Sequence, residues 1–127
     1  MFAGYKSKSG WLSTLHSHNF CELMFVNHGS GKIRIDNDTY PFESGDVVVY
    51  NPGTKHVEFI DDVLPCEIRF LRIAKLNMDG YEKGCLCHGS FAILKTGEHK
   101  ENFSFYLSRL FAHLRLMLPC LLSLLFL

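Results

Sequence analysis

The chain reads as an antiparallel all-β domain, a sandwich or barrel, followed by one amphipathic helix, and two patterns point there. Up to about residue 75, short apolar runs recur roughly every 8–12 residues with turn residues between them, the rhythm of a sandwich or barrel. Beyond residue 100, apolar residues recur at helical spacing instead. The chain has 127 residues, 47% of them apolar, enough for one domain with its own core. The expected division is a barrel over residues 1–100 and a helical segment over 101–127.

The elements follow in order. Residues 20–26 are almost continuously apolar apart from Glu22, which suits a strand buried on both faces. A carboxylate in such a run is destabilising unless it is paired, hydrogen-bonded or ligating. Asn27-His28-Gly29-Ser30-Gly31 is turn chemistry, and residues 32–35 alternate as a half-exposed strand. Asp36-Asn37-Asp38 turns the chain into a short return strand at 39–42, which makes a hairpin. After Glu43-Ser44-Gly45-Asp46, itself a turn, residues 47–50 form a buried strand. Asn51-Pro52-Gly53-Thr54 then breaks the chain sharply. Residues 56–60 resume a strand. Residues 61–65 are a loop, and 66–73 alternate through Phe70 before slipping register. Residues 77–89, with Gly80, Gly84 and Gly89, are loop-like. Phe103, Leu107, Leu110, Phe111, Leu114 and Leu118 then fall on one helical stripe, whose apolar face must pack on the barrel or on a partner. Residues 116–127 carry no charge and are broken by Pro119. Twelve residues are too few to span a bilayer, which needs about 20.

Lysine plus arginine equal aspartate plus glutamate, 13 each, and the sequence pI is about 7.0. That balance argues against a basic nucleic-acid-binding surface, and it supports neither an acidic-substrate nor an anionic-membrane role. Five scattered cysteines, Cys21, Cys66, Cys85, Cys87 and Cys120, with no apolar targeting stretch in the first ten residues, read as reduced thiols of a cytoplasmic protein. Cys85-Leu86-Cys87-His88 lacks a second pair at finger spacing and reads as a loop rather than a metal site.

His16-Ser17-His18, Glu22 and His56 carry the chemistry. Residues two apart on a strand share a face, so His16 and His18 can look into one cavity, with Glu22 on the same face of an unbulged strand. His56 lies 34 residues beyond Glu22 and must return on a neighbouring strand. Three imidazoles and a carboxylate suit a divalent transition metal; they equally suit the polar floor of a small-molecule pocket. His28, His88, His99 and His113 lie in a turn, a loop or the helix and read as solvated. Phe25, Tyr40, Tyr50, Phe59 and Phe70 read as core or cavity wall.

The spacing Gly10, five residues, His16-x-His18, three residues, Glu22, six residues, Gly29 resembles the first motif of the cupin superfamily at every position. Gly45, Gly53 and His56 match the second motif. Asn51 stands where proline is expected, with Pro52 one later, and Ile60 stands where asparagine is expected. Within the cupins, the segments 16–26, 29–35 and 40–56 are most similar to the N-terminal sensor domain of AraC-type transcription regulators. The likeness covers roughly residues 10–75 and extends weakly into 103–118.

The resemblance implies an antiparallel cupin (jelly-roll) β-barrel with a C-terminal dimerisation helix. It implies a non-enzymatic domain that binds a small effector, a sugar or other metabolite, inside the barrel. The effector would meet His16, His18, Glu22, His56 and Tyr50, with Trp11 near the barrel mouth as a cover. No cofactor is then required, although His16, His18, Glu22 and His56 would also hold a divalent transition metal. The expected partners are the effector and a second copy of the chain, with no membrane. DNA contact would come only through a C-terminal helix-turn-helix domain that this chain is expected to lack, as if truncated at the linker. The alternative is a small metal-dependent cupin enzyme, a dioxygenase or isomerase, built on the same His/His/Glu/His set.

Overall fold

In a computed structural model, the structure describes residues 2–6, 10–11, 14–61, 66–96, 101 and 109, with residues 2–6 and 10 described by backbone alone. The chain divides into two compact units, 1–96 and 97–127. The helical stripe expected from Phe103 to Leu118 lies outside the described residues, as does Cys120. Of that region only Glu101 and Arg109 are described, both with helical backbone.

Among the described residues the first unit holds nine strands: β1 (Phe2–Lys6), β2 (Gly10–Trp11), β3 (Cys21–His28), β4 (Ser30–Ile35), β5 (Asp38–Glu43), β6 (Asp46–Tyr50), β7 (His56–Ile60), β8 (Glu67–Ile73) and β9 (Phe91–Lys95). They form two sheets, ordered β1-β8-β3-β6-β9 and β2-β7-β4-β5. Every pairing is antiparallel. The two sheets pack face to face, the jelly-roll arrangement expected from the sequence.

Side chains two apart in each strand set the core. Met24 and Val26, Val48 and Tyr50, and Ile68 and Phe70 face Ile33, Ile35, Phe42 and Ile60 from the opposite sheet, all at 6% exposure or less. On the outward face of the larger sheet Cys21, Phe25, Val47 and Val49 are buried as well, so β3 and β6 are enclosed on both faces, as their apolar runs require.

The structure corrects several boundaries. The turn expected over 27–31 shrinks to Gly29, which takes φ +95° and lets β3 run into β4 almost without a loop. Gly31 belongs to β4 and sits where any Cβ would collide with the Phe59 carbonyl oxygen and the Phe42 ring. The register slip expected after Phe70 is absent: β8 pairs with β3 continuously from Cys21↔Ile73 to Val26↔Ile68, and the irregularity lies at the other end, between Val26 and His28. Strands β1, β2 and β9 carried no strand expectation. For β9 the signal was present, an apolar Phe91-Ala92-Ile93-Leu94 run between Gly89-Ser90 and Thr96-Gly97. Phe91 and Ile93 pack on the core.

Candidate functional site

Between the sheets, at one end of the apolar core, the inward positions turn polar. Glu22 of β3 lies opposite Tyr50 of β6 on one side and Arg72 of β8 on the other. His56 and Glu58 of β7 come from the facing sheet. His16 and His18 arrive differently from expectation. They do not extend β3; residues 14–20 form an irregular lead-in, in which His16 makes an isolated antiparallel bridge to His56. Backbone bonds fix that lead-in: His56 N–H donates to His16 C=O at 2.8 Å, His16 N–H to His56 C=O at 3.1 Å, and Gly53 N–H to His18 C=O at 2.7 Å. The two histidines therefore reach the site by docking onto β7 and the turn before it, not by strand alternation.

The side chains converge on Glu22. Its Oε1 lies 3.2 Å from His56 Nε2, and its Oε2 accepts from Arg72 Nε at 2.9 Å. The same Oε2 is 3.6 Å from His18 Nε2, beyond hydrogen-bond reach. His18 Nε2 is buried and has no hydrogen-bond partner. His56 Nδ1 sits 2.8 Å from the Thr54 carbonyl, and the Tyr50 ring stacks on the imidazole at 3.8 Å. Tyr50 Oη donates to Glu58 Oε1 at 2.9 Å. Sequence reading missed Glu58 and Arg72. Both sit on inward-facing registers, Arg72 after Ile68 and Phe70 and Glu58 between His56 and Ile60, the signal that could have found them.

Electrostatics follow from this packing. Burial alone would push the Glu22 carboxyl up, but the hydrogen bonds from His56 and Arg72 outweigh it and hold the group below the ordinary carboxylate range. Burial would likewise depress His56, but its bonds to Glu22 and to the Thr54 carbonyl win and raise it. His18 is pulled down by burial, which Glu22 only partly offsets. Glu58 is pushed up by burial against the pull of His56 and Tyr50.

The nitrogens of His16, His18 and His56 lie within 4.8 Å of one another, as do the ligand atoms of Glu22, His56 and Glu58. The expected quartet is thus split between two triads that share His56, the second completed by Glu58. The three imidazoles, with the unpartnered His18 Nε2 among them, have the donor chemistry for a divalent transition ion. Both Glu22 oxygens are already engaged by His56 and Arg72. Tyr50 lines the cluster through its stack on His56. Trp11 is not brought to it: the ring is 47% exposed, packs edge-on against Phe59 at 5.0 Å, and lies under Lys32 Nζ. Cys85 and Cys87 are free thiols in the loop before β9, and Asn51 clamps that loop. Its Nδ2 donates to the carbonyls of Cys87 (2.8 Å) and Gly89 (2.7 Å), and its Oδ1 accepts from Leu86 N–H (2.9 Å).

A two-sheet jelly roll with a histidine–glutamate cluster between its sheets defines a cupin-type barrel. The family model of the AraC-like ligand binding domain matches residues 1–74, and the chain belongs to that family. No curated protein sequence matches it. Among solved structures, it is similar to a point-substituted variant of apo ToxT from Vibrio cholerae strain SCE256 (11% identity, TM-score 0.63, covering 86% of this chain and 46% of that one). It is similar to ToxT from the same strain bound to an unsaturated fatty acid (12%, 0.55, 75% and 40%). It also resembles the protein YlbA from E. coli (14%, 0.57, 76% and 39%). These likenesses show the fold, and the chain spans less than half the length of each of these three structures. Among the described residues no helix is long and apolar enough to cross a membrane.

Proposed function

We propose that the chain is the effector-sensing domain of an AraC-type transcription regulator. A small polar molecule enters the barrel and contacts His16, His18, Glu22, His56 and Tyr50, and the domain performs no catalysis. Residues 101–127 supply a dimerisation helix for a symmetric homodimer in the cytoplasm, and DNA is bound through a separate helix-turn-helix domain. The observation that carries this reading is the buried, unpartnered Nε2 of His18 inside a polar cluster enclosed by two sheets. A buried polar atom without a partner is uncommon, and a ligand group is one way to satisfy it.

Thermal denaturation of the full chain across sugars, organic acids, amino acids and nucleosides tests it. An effector at a hundred times its dissociation constant should add about 2.7 kcal/mol, a rise of several degrees in Tm. A panel that leaves Tm unmoved removes the sensor reading. Sedimentation at tens of micromolar tests the dimer, and a monomer there removes that part.

The triad of His16, His18 and His56 supports a second reading, a metal-dependent cupin enzyme. Protein purified without an affinity tag would then carry close to one equivalent of a transition ion and lose stability on chelation. Metal-free protein that still binds an effector decides for the sensor.

A further inference from the structure

We propose that the site takes a carboxylate, gripped by Arg72 and His18, so that the effector is a small organic acid. This rests on the sensor reading above and names its ligand class.

Arg72 occupies an inward register on β8, directly opposite Glu22, and its side chain is 37% exposed, so it stands at the open end of the polar cluster. Only Nε–H is used internally, on Glu22 Oε2 at 2.9 Å. Among the described residues nothing accepts from its two terminal nitrogens. Their four N–H groups form a planar fork held in place by the Nε bond. His18 Nε2 lies 3.6 Å from that same oxygen, buried and without a hydrogen-bond partner. Phe20 completes the arrangement: its ring stacks on His18 at 4.6 Å, and the Arg72 guanidinium carbon lies 5.6 Å over it.

The unused groups decide the ligand. Both oxygens of Glu22 are already engaged, by His56 and by Arg72. Glu58 Oε1 is held by Tyr50. What remains without a hydrogen-bond partner at this end is a guanidinium edge and an imidazole nitrogen, a donor pair when the His18 proton sits on Nε2. A polyol or an amine would bring donors that find few free acceptors. A carboxylate brings only acceptors, and its planar fork matches guanidinium geometry. One oxygen would meet the terminal Arg72 nitrogens and the other His18 Nε2, with the adjoining carbon skeleton lying on the Phe20 ring.

The test uses the full chain at pH 7 with hexanoate and benzoate, each against its primary amide. The acids should raise Tm with concentration, and the amides should bind about tenfold or more weakly, because a charge-assisted fork is lost. Arg72→Lys keeps the charge and loses the fork, so acid affinity should fall by a similar factor. The paired change Arg72→Gln with Glu22→Gln removes both charges together and should abolish the preference for acid over amide. Equal binding of acid and amide, or an undiminished acid preference in the paired variant, overturns the inference. If the paired variant does not fold, the acid–amide comparison on the unmodified chain decides alone. Stabilisation by a neutral sugar but by neither acid overturns the acid inference and leaves the sensor reading standing. Failure of every compound class overturns both.

Discussion

Replacing Tyr50 with Phe isolates one buried hydrogen bond. Tyr50 and Glu58 are 1% and 3% exposed, and the phenol donates to Glu58 Oε1 at 2.9 Å. Phenylalanine keeps the ring volume and the stack on His56, so the hydroxyl alone is lost. Glu58 Oε1 then loses this donor in a site where water is excluded. A hydrogen bond to a charged group contributes about 1.5–3 kcal/mol and a neutral one about 1 kcal/mol. Burial raises the Glu58 carboxyl, so the bond is strongest toward the alkaline side, where about 2 kcal/mol is expected. Glu58→Gln keeps an acceptor for the phenol and removes the charge. In that background Tyr50→Phe should destabilise by about 1 kcal/mol, leaving a coupling of about 1 kcal/mol. Urea unfolding reads this directly: with a slope near 2 kcal/mol per molar, the midpoint should fall by about 1 M in the first case and about half that in the second. A loss below about 0.5 kcal/mol in the native background, or equal losses in both, refutes Glu58 as the buried, charged acceptor of this bond under those conditions.

Four further outcomes follow from the same geometry. Glu22 is held below its ordinary value, so its contribution is present above the unfolded value near 4.5 and lost as pH falls through the depressed one; Glu22→Gln should flatten the acid limb of a Tm–pH curve. His56 is raised, so its contribution is full below the unfolded value near 6.5 and lost as pH rises through the raised one; a Tm that does not decline on the alkaline side of that value, or declines equally in His56→Gln, contradicts the pairing. Gly31→Ala should destabilise by about 3 kcal/mol, since the new methyl meets the Phe59 carbonyl and lies 2.6 Å from Phe42 Cζ, and a near-neutral urea midpoint would show that the two strands stand further apart. Asn51→Ala should remove about 2–3 kcal/mol with faster amide exchange at Leu86, where unchanged exchange would mean the loop is held by other contacts.

Much of the barrel was legible because its elements are locally coded. Residues 20–26 and 47–50 announce buried strands by continuous apolarity, and the 32–42 hairpin by alternation around Asp36-Asn37. The turn holds Asp36 at φ 52°, which an aspartate tolerates. Two misread places carry a lesson. The apparent slip after Phe70 is no slip: β8 keeps its register, and its next inward position is Arg72, placed there to meet Glu22. Asn51, which departs from the cupin pattern, is the clamp of the loop before β9. In both cases a polar residue broke a local pattern because its partner lies far along the chain, and local periodicity cannot encode that partner.

From the sequence alone came the fold class, the AraC-like resemblance, and the residues His16, His18, Glu22 and His56 as a set, because spacing, alternation and motif identity are one-dimensional properties. Tertiary structure alone decided how they meet. It delivered His16 and His18 through backbone bonds to β7 and Gly53 rather than along a strand, and it split the quartet between two triads that share His56. It also brought Arg72 and Glu58 to the site, neither of them a motif residue, and it set Trp11 against Phe59 instead of over the cluster. The reason is physical: burial and hydrogen-bond satisfaction act between neighbours in space, and strand pairing makes neighbours of residues such as Glu22 and Arg72, 50 positions apart.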